Sequence, residues 1–500
     1  VSTTTDHRAP DQRSPLAEIL AVGLPSAATM LSYPLMQLVD SRMVSELGPV
    51  AVAAQGNGGL AVWVIGSFVV GAMTIVNTYV SQNLGAGRLK RTSAYAWNGL
   101  WVCAFASIFT TLMIPFAGAY FSLFPHEPEL VRLETAYAQV TLAGAFFMMA
   151  ARTIHQFFYG VHKSSVVLAT AIISHVANVV FNYVFIFGKF GFPELGVAGA
   201  ALGTVLATVI EFALPMALFL SPRYARVYAT RETWRLSGPR VRELLRIGWP
   251  AGLQSGNEML CWKLFVLGLV GSFGAMHAAA SWFALRYMML SFMPAVGIAY
   301  GITAVVGRWI GAGNRAEAQR RAVVGVVLTV GYMAVCGVLM VVFREPLIRV
   351  FLSSEYTPEE AAEAIRIGSM IMICAAVFQV FDALGIAMTG ALRGAGDTII
   401  PGVLNAIFAW AFLLAGGWFI ATRYPQLGSL GPWIGAAAFI IALGAALTWR
   451  WSSGAWKRID LDRPGAPAEA APEASRGVEP EAALAADAAP APTSPSAGPA

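Results

Sequence analysis

EILAVGLP (residues 18–25) returns 225 residues later as ELLRIGWP (243–250). Gly71 and the GAG at 85–87 return as Gly297 and the GAG at 311–313, offset by 226, so one inserted residue separates the two matches. LGVAGAALG (195–203) is echoed more loosely by LGPWIGAAA (430–438). The chain therefore reads as two related halves, joined by an arginine-rich linker at 221–242.

What each half must be follows from its oiliness. Of 500 residues, 57% are hydrophobic and 12% charged, and the mean hydropathy is +0.63. A soluble domain carries about 25% charged residues. A helix crossing a bilayer needs about 20 mostly apolar residues. Such runs lie near 16–39, 51–80, 94–117, 134–158, 166–187, 197–219, 244–270, 278–306, 322–342, 364–389, 400–420 and 432–448. They are far too long for barrel strands, and lipid admits no other spanning structure. The expectation is an all-α polytopic membrane protein, with twelve transmembrane helices in two pseudo-symmetric six-helix lobes at 16–220 and 243–450. Six spans is an even number, so both halves enter the membrane in the same orientation and can face each other across a central cavity. Residues 1–15 read as a flexible cytoplasmic N-terminus. Residues 451–500 read as a cytoplasmic tail, disordered from about 464, where Ala and Pro dominate.

Sixteen Lys and Arg lie in loops after even-numbered spans, against six after odd-numbered ones. Basic loops stay in the cytoplasm, which places both termini there and the protein in a plasma or bacterial inner membrane. The polar first fifteen residues lack the apolar core of a signal peptide. The four cysteines, Cys103, Cys261, Cys336 and Cys374, sit in apolar runs without a CxxC pair and read as packing residues. The net charge of +5 calls for no nucleic acid, because the cations collect beside the membrane. There is no GxxxxGK[ST], no metal-ligand cluster and no nucleophile–base pair, so neither enzyme chemistry nor a cofactor is expected.

A charge inside a bilayer costs about 2.5–3.5 kcal/mol on insertion scales, which makes each one a functional candidate. The candidates are Asp40, Arg152, His155, His175, Glu211, Glu258, Lys263, Arg286 and Asp382. Arg152, His155 and Lys263 fit snorkelling or structural pairing. Glu211 fits a structural partner, and His175 a hydrogen-bonded packing residue. Asp40, Glu258 and Asp382 can face one cavity, where a carboxylate can take up a proton or Na⁺ and release it on the other side. Asn178 and Asn182 share a face of span 5. Their spacing leaves cation coordination and plain interhelical hydrogen bonding equally open. RYMMLSFMP (286–294) is rich in methionine, a residue suited to adaptable surfaces. With Tyr33, its Arg286, Tyr287, Met288, Met289, Phe292 and Met293 are candidate cavity contacts. Packing is the competing account.

Over residues 16–450 the chain resembles the multidrug and toxic compound extrusion (MATE) transporters. The matching features are a proline and then Asp40 and LG at 47–48, VSQNLGAG at 80–87, Pro250 with Glu258, VGRWIGAG at 306–313, and FDALGIAMTGALRGAGDT at 381–398. The resemblance implies lobes that open alternately to either side and export cationic or amphipathic organic compounds in exchange for inward Na⁺ or H⁺. It implies that Asp40, Asn178 and Asn182, with Thr204 as a weaker fourth, form the N-lobe cation site. Glu258 and Asp382 are then the C-lobe acids of the NorM-like branch. Arg286 and Lys263 depart from the pattern. Either could pair with a C-lobe acid and leave coupling to the N-lobe. A lipid or lipid-linked saccharide flippase is the alternative, to which Arg286 alone points. A membrane enzyme is a third class, lacking the His/Asp clusters it would need. The expected partners are a small organic cation and the bilayer, with a monomer sufficing.

Overall fold

A computed structural model describes residues 14–352 and 356–461. Twelve helical runs build it. They are α1 (Pro15–Val44), α2 (Pro49–Gly85), α3 (Leu89–Phe121), α4 (128–160), α5 (Ser164–Ile186), α6 (Gly196–Phe219), α7 (238–270), α8 (Ala275–Gly311), α9 (Arg315–Val342), α10 (Pro358–Gly394), α11 (Ile399–Arg423) and α12 (Leu430–Ser452). Ten are long and apolar enough to cross a membrane. The other two are α4 and α7. In α4, Gly144 interrupts the helix and leaves two pieces of 16 residues each. α7 carries Arg240, Arg242, Glu243, Arg246, Glu258 and Lys263, then passes into a π-helical stretch over Leu264–Val270.

The repeated GAG is a helix stop. α2 ends at Gly85 and α8 at Gly311, and the second glycine of each motif, Gly87 or Gly313, takes a left-handed φ of 73° or 80°. The chain then folds back, so that Arg88 N–H reaches the Asn83 carbonyl at 2.8 Å and Asn314 N–H the Trp309 carbonyl at 3.0 Å. This is a Schellman cap, which satisfies carbonyls otherwise left bare. α10 stops the same way at Gly396, φ 84°. In α4 the matching residue is His162, at φ 60°. New helices start on polar caps. Ser14 accepts from Ala17 N–H, Asn314 from Glu317 N–H, and Thr357 forms a capping box with Glu360.

α1–α6 and α7–α12 each pack as a lobe, with separate apolar cores around Phe157 and Phe158 in the first and around Phe378 and Trp433 in the second. The lobes meet along α1 with α8 and α7 with α2, seams exchanged by the internal repeat. A third core, with Ile19 and Val22 against Ile302 and Val305, fills the first seam. Small residues bring the backbones together. A Cβ on Gly71 would lie 2.8 Å from the Ala251 carbonyl oxygen, and one on Gly297 would lie 2.5 Å from Ala27 Cα. At the tips, a Cβ on Gly85 would fall on the Arg308 carbonyl oxygen, and one on Gly311 on the Gln82 carbonyl oxygen. These contacts lie in the half of each helix nearest the arginine-rich linker, here called the basic end. The described state is shut there.

The linker is ordered. Pro222–Tyr228 is helical, and Trp97 and Trp101 donate their indole N–H groups to the carbonyls of Thr230 and Trp234. The start of the expected tail is also packed: Trp456 is 2% exposed and stacks on Trp451 with ring centroids 4.3 Å apart. Most of the expected flexible N-terminus, and the tail expected to be disordered from about 464, lie outside the described residues.

Candidate functional site

Asp40 lies one turn from the end of α1. Leu38 and Val39 beside it are 51% and 42% exposed, whereas Asp40 is 8% exposed and turned into the N-lobe. α5 presents Asn178 and Asn182 to it from consecutive turns of one face. Asn182 Nδ2 donates to Asp40 Oδ1 at 2.6 Å and to Asn178 Oδ1 at 3.0 Å. Asn178 Nδ2 reaches Thr204 Oγ1 of α6 at 3.4 Å. The sequence-predicted quartet is thus one cluster. Sequence reasoning missed Tyr137 of α4, whose hydroxyl lies beside that of Thr204 and within electrostatic range of Asp40. It also missed Glu134 one turn earlier, which is fully buried and bonded to Asn57 at 2.6 Å and His126 at 3.0 Å. Glu134 stands at the margin of an apolar run, where an acid reads as loop.

Asn182 Oδ1 is buried and has no hydrogen-bond partner. It faces Gly203, where a Cβ would collide with it. The acceptors that Asp40, Asn178, Asn182 and Thr204 offer are all oxygens, with one formal charge among them, the ligand set of a hard cation or a proton. In Gly203→Ala, Asn182 has to leave Asp40. A hydrogen bond to a charged group contributes about 1.5–3 kcal/mol, so a cation bound here is expected to bind roughly tenfold or more weakly. The shift of melting temperature with added cation reads this directly. An unchanged shift would separate Asn182 from cation binding.

The C-lobe does not repeat the cluster. Taking Gly160 as the partner of Gly394, the positions of Asn178 and Asn182 fall on Phe412 and Gly416, and that of Asp40 falls on buried Phe265 in the π-helical stretch. Its acids stand elsewhere. Glu258 of α7 accepts from Asn405 Nδ2 of α11 at 3.5 Å, and Asp382 of α10 interacts electrostatically with Glu258. Arg286 or Lys263 could have paired with one of these acids, and neither does. Among the described residues no ion pair reaches Glu258 or Asp382. Arg286 is exposed on the face of α8 opposite the C-lobe core, its guanidinium 5.4 Å from the Phe351 ring centre. The rotation of α8 that buries Met288 in the C-lobe core turns Arg286 and Met289 away from that core. RYMMLSFMP is therefore spread around the helix. Tyr287 donates to the Leu347 carbonyl at 3.0 Å, and Phe292 and Met293 are half-buried.

The remaining charges in the N-lobe satisfy one another. Tyr33 donates to Glu211 at 2.6 Å, and Arg152 and His155 lie 3.7 and 3.8 Å from the same carboxylate. The Arg152 guanidinium also covers the Tyr33 ring at 3.7 Å. His175 hydrogen-bonds Ser32 at 2.9 Å. Tyr33, a candidate cavity contact, is thereby a structural partner of Glu211.

The family model MatE matches residues 25–184 and 258–415. A probable multidrug resistance protein NorM of Thermotoga maritima is 28% identical over 455 residues, covering 89% of this chain and 94% of the relative. One of Mesorhizobium japonicum is 28% identical over 452 residues, covering 89% and 95%. Among solved structures, an outward-facing multidrug resistance MATE family transporter superimposes with a TM-score of 0.81 at 22% identity, covering 89% of this chain and 98% of that one. A MOP superfamily transporter from Pyrococcus furiosus does so with a TM-score of 0.81 at 21% identity, covering 90% and 98%.

Proposed function

The chain belongs to the MatE family, and from that premise we propose that it is a cation-coupled antiporter exporting organic cations by alternating access. The observation that carries this reading is the Asp40 cluster, a single buried carboxylate held by an amide with a free oxygen beside it. Na⁺ or a proton entering there exchanges for a substrate leaving the cavity. The names of the NorM relatives support drug-like substrates. The excess of basic loops puts the basic end and both termini in the cytoplasm. The state with that end shut is then the one that receives the ion from outside.

Glu258 and Asp382, two carboxyls near each other with no cation paired to either among the described residues, suit the positive charge of the substrate. In the Glu258→Gln, Asp382→Asn double variant, KM for a cationic dye is expected to rise about tenfold, the effect of about 1.4 kcal/mol, while dependence on the ion gradient stays. Complete loss of transport would move coupling to the C-lobe.

The test of the function is efflux of a fluorescent organic cation from proteoliposomes, with Na⁺ and proton gradients imposed separately. Efflux driven by one gradient supports antiport and names the ion. No efflux under either gradient, from monodisperse protein, would favour the flippase alternative.

A further inference from the structure

Each repeated octapeptide begins with glutamate, and neither glutamate has a part in the cation cluster. Glu18 opens α1 and Glu243 lies in the first turns of α7. Each crosses its seam to the opposite lobe. Glu18 Oε2 accepts from Arg321 Nε of α9 at 2.5 Å and from the Trp309 indole N–H of α8 at 3.1 Å, and Arg308 lies 3.9 Å from Oε1. The Arg321 guanidinium covers the Trp309 ring at 3.9 Å and also pairs with Glu317. Arg308 reaches a second N-lobe residue, His162, at 3.4 Å. At the other seam, Glu243 accepts from the Tyr95 hydroxyl of α3 at 2.6 Å. Tyr95 is the repeat equivalent of Arg321, 226 residues earlier. The duplicated position is thus used twice for the same purpose with different chemistry. One seam has a sealed ion pair, with Glu18 and Arg321 2% and 3% exposed, and the other a neutral donor on a half-buried acid.

We infer that Glu18 and Arg321 are positioning residues that set the balance between the shut and the open basic end; this rests on the alternating-access reading above. The physical ground is the cost of burying a charge. A buried pair adds little net stability over an apolar pair, but removing one member leaves the other stranded in the seam short of a partner, with only Arg308 at 3.9 Å and the Trp309 indole left to Glu18, and only the half-buried Glu317 left to Arg321. The stranded charge is relieved by parting the lobes, because the open end lets water reach it. Each single neutralisation therefore favours the open end. Neutralising both removes the stranded charge and restores the shut end. A simple packing contact would behave in the opposite way, with the double variant the most open. The neutral Glu243–Tyr95 seam leaves no stranded cation, so Tyr95→Phe shifts the balance less.

The test uses the full chain in lipid nanodiscs, spin-labelled at Ala86→Cys and Ala312→Cys on the two GAG tips, with distances read by pulsed electron paramagnetic resonance. Arg321→Met and Glu18→Leu are each expected to raise the long-distance population at least fivefold over the parent. The double variant is expected to fall closer to the parent than either single. Trp309→Phe, which removes one donor without stranding a cation, should shift the population in the same direction but less, and guards against a single variant that misfolds. Single variants indistinguishable from the parent, or a double variant as open as the product of the two singles, would overturn the inference. The distance readout needs no ion gradient, so its failure is separate from a failure of coupled transport.

Discussion

Asp40→Asn is expected to lower gradient-driven efflux by about a hundredfold, equivalent to roughly 2.7 kcal/mol, while leaving dye binding within about twofold. Asp40 is the one formal charge in the N-lobe cluster, and Asn182 already donates to it at 2.6 Å. The variant carboxamide keeps the shape and loses the charge. A coupling ion works only through its unequal affinity for the two states. Without the carboxylate, neither Na⁺ nor a proton has a reason to prefer one of them. Substrate binding is spared because Glu258 and Asp382 stand in the other lobe. Efflux measured under each gradient, with dye binding by fluorescence polarisation, separates the two effects. Efflux surviving in Asp40→Asn would move coupling to the C-lobe acids.

Gly85→Ala and Gly311→Ala are expected to destabilise the shut state by about 3 kcal/mol each, the upper end of overpacking costs. At each site the new methyl meets main chain of the opposite helix, the Arg308 carbonyl in one case and that of Gln82 in the other. A side chain can change rotamer, but a helix backbone can only move away. The tips must therefore separate, and the Gln82 amide loses its 2.8 Å bond to the Gly394 carbonyl. A lower melting temperature together with faster labelling of Ser81→Cys by a thiol reagent applied from the basic side would bear this out. Ser81 is fully buried in the seam. An unchanged labelling rate would mean that the tips are not the closure.

The two halves, their orientation relative to each other and the shared face of Asn178 and Asn182 were legible in the sequence for a common reason. Each depends on spacing along one chain segment, and periodicity carries that information. Asp40 was joined to that pair, and Thr204 added, by resemblance. Tyr137 and the partners of Glu211 were out of reach, because they depend on how one helix is rotated against another. The same limit applies to Arg286. Its position in an apolar run does not say which way it points, and packing of Met288 into the C-lobe core set it on the opposite face of the helix. Trp456 escaped notice because it follows the last apolar run, and only the three-dimensional fold brings Trp451 under it.

A single coupling site at Asp40, as proposed above, bears on what the exchange can achieve. One site taking one monovalent cation, traded against one singly charged substrate, moves no net charge across the bilayer. The membrane voltage, worth about 2.3 kcal/mol per charge at 100 mV, then contributes nothing. A tenfold ion ratio can sustain no more than about a tenfold substrate ratio, since each tenfold is about 1.4 kcal/mol on either side of the exchange. A neutral substrate would make the same cycle electrogenic and sensitive to voltage, so the charge of the cargo, and not the protein, sets how steeply it can be expelled.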